Sequence, residues 1–191
     1  SEGGLSVGAL TAVTDDESAR AFFPGRPDGR RFERFAVEPR TFYGILRAEQ
    51  DFRNGRSRVG GMLTSVERSL PGSGRLGFLP ERAYTGGLDF EHTWSDREWA
   101  LTGFLAGSHV RGSSEAMLAL QRSSNHYFQR PDQDYMELDS TATSLTGAEW
   151  QLQLERRSGR NWTGGVWVGQ RTPSFEVNDI GFATGNEQLD F

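Results

Sequence analysis

The chain has 191 residues, a length that fits roughly one domain, and 24 of them are glycine while apolar residues make up 35%. This composition favours β-structure with tight bends over helix. The formal charge of −5 argues against a nucleic-acid-binding face, which needs clustered cations, and the absence of cysteine excludes disulfides and thiolate metal sites. The longest purely apolar run, residues 116–120, is far shorter than the ~20 residues of a membrane helix.

Seven stretches of the chain are predicted to be β-strands. In chain order they are residues 4–13, 41–52, 57–68, 83–94, 99–109, 147–156 and 162–170. The clearest is 83–94, where large apolar side chains alternate strictly with polar ones and Asp89 and Glu91 share the polar face. The same alternation places Arg47, Glu49 and Asp51 on one face of 41–52.

The connections between these strands alternate between short and long. Short links fall at 53–56, 95–98 and 157–160, whereas the long ones run over 14–40, 69–82 and 110–146. Membrane barrels have this asymmetry, with tight periplasmic turns and long outer loops. The clearest strands have ten to twelve residues, as a tilted membrane strand requires (~9–11), and exceed the ~5–6 of soluble proteins. We therefore predict an all-β antiparallel meander that is part of a transmembrane outer-membrane β-barrel.

A barrel fixes which face of each strand meets lipid. A charge on the lipid side near the midplane costs up to ~2–4 kcal/mol, so the charged face is expected to line a polar lumen. The lumen candidates from the strands are Arg47, Glu49, Asp51, Asp89 and Glu91. Tyr84 and Trp94 would then lie at the two ends of the outer face, where aromatic girdles form.

The alternative is a soluble sandwich or jelly roll, in which the apolar face packs on a second sheet. As a secreted carbohydrate-binding module or glycoside hydrolase, such a protein would stack sugars on Trp99, Trp150 or Trp162. Asp89 and Glu91 would be its acid pair. Strand length and the loop pattern favour the barrel.

The connection 110–146 contains a predicted short helix, which Ser113 or Ser114 caps and which ends before Arg130. Two arrangements of this connection are open: the helix folds inward into the barrel as a plug, or the connection packs on itself as an outer loop. An inward fold would add further lumen or ligand contacts, namely Gln121, Tyr127, Arg130, Asp132 and Asp134. The connection 14–40 is charge-rich and is predicted to be solvated surface.

No catalytic residue, cofactor or metal site is predicted. The three histidines, His92, His109 and His126, lack the spacing of paired metal ligands. Neither a nucleophile elbow nor a phosphate-binding glycine loop occurs.

Several segments together resemble a known family. They are QRSS at 121–124, YFQRPD at 127–132, Leu138-Asp139, TSLTG at 143–147 and FEVNDIGF at 175–182, together with Val37-Glu38-Pro39, Arg47, Gly55-Arg56-Ser57 and Val59-Gly60. This combination looks like the bacterial domain of unknown function 5916 family. The resemblance implies an outer-membrane β-barrel that usually follows a carbohydrate-binding family 9-like domain, and it implies no catalytic residues.

These observations lead to one expected function. The chain is expected to be one partial domain over residues 1–191, a piece of a longer protein in the bacterial outer membrane. It would act as a pore or scaffold that handles carbohydrate or other exported ligands, or as a purely structural anchor. Its expected partners are membrane lipid and the rest of its own chain, because an incomplete barrel leaves strand edges unpaired.

Overall fold

The fold comes from a computed structural model, which describes residues 4–24, 32–70, 75–131, 136–177, 179 and 188–190. It consists mainly of antiparallel strands. The elements are β1 Leu5–Thr14, β2 Glu17–Phe22, β3 Phe32–Glu38, β4 Arg40–Phe52, β5 Ser57–Ser69, β6 Arg82–Trp94, β7 Trp99–Arg111, α1 Ser114–Arg122, β8 Ser144–Arg156, β9 Gly164–Arg171 and β10 Gln188–Asp190. All seven predicted strands are present, and the antiparallel part of the fold prediction is confirmed.

Eight strands form one sheet in the order β1-β4-β5-β6-β7-β8-β9-β10. Every ladder is antiparallel, and the pairings of β4 through β8 run without a register shift. Within the described residues β1 and β10 form the two edges, so the sheet is open there. No helix in this part of the chain has the length and apolarity needed to span a membrane.

The first long connection differs from its prediction as plain solvated surface, because it contains the β2–β3 hairpin. Most of its residues are exposed, as expected from its charge-rich sequence. The hairpin is held by ring contacts, with the Phe22 and Phe32 centroids 5.2 Å apart and the Arg20 guanidinium 4.9 Å from the Phe32 centroid. Arg75 from the next long connection lies 4.3 Å over the ring of Phe35.

The register gives the sheet an apolar face and a polar face. On the apolar face Leu88 pairs with Leu105, and these side chains are 65% and 57% exposed. On the polar face Thr93 and Ser108 are buried although they are hydrophilic. This register also settles β9, where Val166 and Val168 lie on the apolar face opposite Leu154 and Leu152. Large apolar side chains are thus exposed on one face of the sheet, while some polar side chains are buried on the other.

The core lies on the polar face, at the end of the sheet where the long connections leave; we call this the long-loop end and the opposite one the short-turn end. Here α1 packs its buried Ala116 and Met117 against Val66, Ala83 and Val110. The predicted cap is confirmed, because the Ser113 Oγ accepts a hydrogen bond of 3.1 Å from the Ala116 amide. The helix thus packs on the polar face of the sheet, the face on which the inward alternative places it.

The segment after β9 also packs on the polar face. A Cβ on Gly147 of β8 would overlap the backbone of Phe175 and Ser174, so only glycine permits this approach. The Glu176 amide donates a 2.9 Å hydrogen bond to the Ser108 Oγ of β7. Together, α1 and residues 173–177 cover the long-loop end of the polar face, and we call them the plug.

Met117 tests whether the plug depends on this core. Replacing Met117 with Ala removes a fully buried side chain, which costs about 2–5 kcal/mol. Amide hydrogen exchange in α1 of the full-length protein is then expected to accelerate by about 30-fold or more. Leu118→Ala is the control, because Leu118 is only half-buried and lies outside the core cluster. Equal acceleration in both variants would contradict this packing.

Candidate functional site

The polar face carries a connected set of charges across β4, β5 and β6. Arg47 donates to both carboxylate oxygens of Asp89, with Nη2 2.8 Å from Oδ1, and the same nitrogen lies 3.0 Å from the Glu49 Oε2. Gly60 lies between Glu49 and Asp89 in the register. A Cβ there would lie 2.8 Å from the Arg47 Cζ, so the glycine leaves room for the guanidinium to cross β5.

The set continues toward the short-turn end. The Arg58 Nε lies 3.8 Å from the Glu49 Oε2, and the Arg58 Nη2 donates a hydrogen bond to the Glu91 Oε2 at 3.1 Å. Arg157 also pairs with Glu91, and its Nε donates to the Glu155 Oε2 at 2.9 Å. Glu155 and then Glu91 raise the pKa of Arg157 through these hydrogen bonds. We call this set the charge ladder, and its members are Asp89, Arg47, Glu49, Arg58, Glu91, Arg157 and Glu155.

The charge ladder brings four predicted lumen candidates together, namely Arg47, Glu49, Asp89 and Glu91. Asp51 has no place in these ion pairs, but it lines a polar pocket at the short-turn end to which the ladder members Arg58, Glu91 and Arg157 also contribute. Asp89 and Glu91 are held in different ion pairs, Asp89 by Arg47 and Glu91 by arginines on two other segments. This arrangement does not present them as a free pair of carboxylates on either side of a substrate.

The candidates from the long connection are dispersed. Gln121 is 1% exposed, and its amide is engaged at both ends: Nε2 donates to the Asp139 carbonyl at 2.9 Å and Oε1 accepts from the Asp139 amide at 2.8 Å. The geometry thus makes Gln121 a brace between α1 and the next segment. Tyr127 is exposed, with a positive φ of 49°, and Arg130 is half-buried. Asp132 and Asp134 lie outside the described residues.

The Asp139 segment has its own local hydrogen bonds. The carboxylate Oδ1 of Asp139 accepts from the Thr141 hydroxyl at 2.7 Å and from the Thr141 amide at 2.8 Å. These bonds lower the pKa of Asp139, since they favour its ionised form. The segment that Gln121 braces is therefore itself ordered by a turn.

Two interactions were missed from the sequence. The buried His126 hydrogen-bonds through Nε2 to the Glu176 Oε2 at 2.6 Å and through Nδ1 to the Pro173 carbonyl at 2.7 Å. Arg68 of β5 pairs with Asp179 and donates to the Pro80 carbonyl at 3.0 Å. A signal was present, because His126, Glu176 and Asp179 lie inside or beside the segments that suggested the family resemblance. Their partners, however, are about 50 residues away or more and cannot be paired from spacing.

Aromatic side chains cluster on the apolar face at the short-turn end. The rings of His92, Trp94 and Trp99 stack in sequence, with centroids 5.9 and 6.2 Å apart. Trp162 meets Trp99 edge-on at 5.9 Å, and the Arg156 guanidinium lies 4.3 Å from the Trp162 centroid. At the opposite end of this face Tyr84 donates to Glu67 at 2.7 Å. Rings with polar partners thus lie at both ends of the apolar face.

The acidic and histidine side chains of the described residues do not assemble into a metal site. Within the described ranges no three His, Asp or Glu side chains come together as a metal site would require. The carboxylates of the polar face are instead paired with arginine.

No protein-family model, curated protein or solved structure matches the chain. The resemblance to the 5916 family therefore stays a prediction.

Gly60 provides a test of the charge ladder. Gly60→Ala is expected to push the Arg47 guanidinium away from Asp89 and to lower the free energy of unfolding by about 1–2 kcal/mol. Gly8→Ala is the matched control. Gly8 of β1 pairs with Arg47 of β4, but nothing lies within 4 Å of the position that a Cβ on Gly8 would take. That change is expected to be neutral or to stabilise by up to ~1 kcal/mol.

The measurement is urea unfolding of the refolded full-length protein, repeated in an Arg47→Met background. The cost of Gly60→Ala should shrink there, because the group with which it collides is gone. An unchanged cost would show that the backbone of β5, and not the ladder, requires glycine.

Proposed function

We propose that this chain forms part of a bacterial outer-membrane β-barrel, with its apolar face in the hydrocarbon and its polar face toward the lumen. One observation supports this most: large apolar side chains are exposed along one face of the sheet, while the charge ladder lies on the opposite face, whose long-loop end the plug covers. Leu88, Leu105 and Val166 are 65%, 57% and 69% exposed. Within the described residues only the polar face is covered, by the plug.

The dimensions of the sheet support the same proposal. The strands β4 to β8 each have 13 residues, more than the ~9–11 that cross the hydrocarbon at a tilt. Leu88 lies at the middle of β6, and the aromatic rings described above lie at the two ends of the same face. This is the order of residues that lipid and its two interfaces select.

The edges of the sheet place a further requirement on this proposal. An unpaired strand edge in hydrocarbon leaves backbone N–H and C=O groups without partners, at several kcal/mol each. We therefore include in the proposal that further strands of the same protein pair with β1 and β10 and close the barrel.

Inside the barrel, the charge ladder would form a polar lining and the plug would close the long-loop side. The expected activity is that of a pore or scaffold for an exported ligand, with carbohydrate as the candidate that the family resemblance suggests. A lumen lined by paired charges is passable to polar solutes only where the plug leaves or opens a path. Single-channel conductance in planar bilayers separates a pore from a purely structural anchor.

The aromatic cluster supports a second candidate, a secreted carbohydrate-active protein. Trp99 and Trp162 lie together on an exposed face, as a sugar-stacking platform requires, whereas Trp150 lies nearer the middle of β8. A soluble parent protein that loses hydrolytic activity on Glu91→Gln would favour this candidate.

Contact with lipid can be tested by spin labels at two positions. The chain has no cysteine, so Leu88→Cys and Gln151→Cys each create one labelling site within it. Gln151 lies on the polar face in the row of Asp89, at nearly the depth of Leu88. In lipid, the spin label at position 88 should be relaxed by oxygen far more than by a water-soluble nickel chelate. The label at position 151 should not show this preference for oxygen. The proposal fails if both labels report water.

The location of the full-length protein is a separate test. We expect it in the outer-membrane fraction, and we expect it to migrate on a gel at a different position before and after boiling, since barrels resist cold detergent. A matched sample extracted with carbonate controls for peripheral attachment. Recovery in the aqueous phase would contradict the membrane proposal and support the soluble candidate.

A further inference from the structure

A polar pocket of about 260 Å³ lies at the short-turn end of the polar face, away from the plug. Arginine dominates its lining. Its charged residues are Arg56, Arg58, Arg97, Arg157, Asp51 and Glu91. Four guanidinium groups against two carboxylates give the pocket a formal charge of +2, although the chain as a whole carries −5. The sign of the charge is thus reversed at this position.

The four arginines of the pocket differ in what they already bind. Arg58 and Arg157 hold the two oxygens of Glu91 from either side, so these three groups form a fixed wall. Arg56 and Arg97 have no carboxylate within ion-pair distance in the part of the chain that the structure describes. The surplus positive charge of the pocket is therefore concentrated on these two side chains.

Both of these arginines come from tight turns that are held in place. The carbonyl of Arg56 accepts hydrogen bonds from the Thr93 amide at 2.7 Å and from the Thr93 hydroxyl at 3.2 Å. Arg97 adopts a positive φ of 67°, which is uncommon for a residue of its type, and its Nη2 lies 3.7 Å from where a Cβ on Gly55 would be. The turns of two neighbouring hairpins thus meet at the pocket.

The geometry points to a binding site for a phosphate monoester at this pocket. Guanidinium groups bind phosphate oxygens in a bidentate manner, and rigid turns reduce the ordering that binding requires. A phosphate monoester carries about −1.5 to −2 at pH 7, which matches the formal charge of +2. The volume holds one phosphate with a small attached group. That group belongs to a soluble compound or to a lipid headgroup, and both present the same phosphate to the arginines.

This inference goes beyond the proposed barrel and does not depend on it, because the pocket is built from hairpin turns and strand ends alone. Its test is calorimetric titration of the full-length protein with inorganic phosphate and with glucose 6-phosphate, in phosphate-free buffer at low salt. We expect saturable binding of at least one of them. Arg56→Gln combined with Arg97→Gln should weaken that binding by about tenfold or more.

Arg53→Gln is the matched control, since Arg53 lies in the same turn as Arg56 but does not line the pocket. It should leave phosphate binding unchanged. Repeating the titration in nanodiscs with phosphatidic acid in place of phosphatidylcholine separates the two sources: weaker phosphate binding there identifies a lipid headgroup, and unchanged binding identifies a soluble compound. Absence of binding by both probes, or binding that the double variant does not weaken, would overturn the inference.

Discussion

The structure depends on a constraint of the backbone: an antiparallel ladder that keeps its register over 13 residues assigns every second side chain to the same face. From β4 to β8 no register shift interrupts this assignment. Leu88, its partner Leu105 and the next partner Trp150 therefore all lie on the same face of the sheet. A slip of one residue would exchange all apolar and charged positions at once. The sorting of the sheet into two chemically different faces is therefore cooperative.

Glycines allow side chains and backbone from neighbouring segments to approach the sheet closely. At Gly60 the missing side chain lets Arg47 reach across a strand to Asp89, and at Gly147 it admits the backbone of residues 174–175. On the apolar face, the ring of Phe90 covers Gly103 and Leu63 covers Gly86, with contacts of 2.8 Å from the positions that Cβ atoms would take. Large side chains thus fill the space above glycines on neighbouring strands. The same residue type serves charge pairing, plug docking and surface packing.

Much of the fold could be predicted from the sequence because its signals are local. Alternation located the strands, and two of the three predicted short links, 53–56 and 95–98, are four-residue turns, whereas the third is longer than predicted and spans 157–163. Capping at Ser113 located the helix. The β2–β3 hairpin was missed because its charge-rich sequence resembled a solvated loop. The face of β9 remained open at Trp167, which lies between two valines, until pairing with β8 decided it.

The candidate site was predictable only in part, for a related reason. Arg47, Glu49, Asp89 and Glu91 could be assigned to one face by alternation, but their ion pairs required knowledge of which strands are neighbours. Arg157 joins the charge ladder from beyond the end of β8, and His126 finds Glu176 from a different connection. Gln121 was a candidate lumen or ligand contact if the helix folded inward as a plug, and the geometry makes it a brace within the protein. Contacts between distant segments carry no local signal.

The origin of the plug has a consequence for the order of assembly. The buried side chains that receive α1 come from β5, β6 and β7, all of which precede the helix in the chain, and the partly buried Ala142 and Leu145 pack beside them from the segment that follows it. The helix can therefore dock as soon as this three-stranded unit has paired, with little loop entropy to overcome. Residues 173–177 arrive only after β8 and β9 have formed, and His126 then binds Glu176 across 50 positions of sequence. Folding of this part of the chain would thus proceed from the amino-terminal strands, and the late hydrogen bond between His126 and Glu176 would stabilise a helix that is already packed on the sheet.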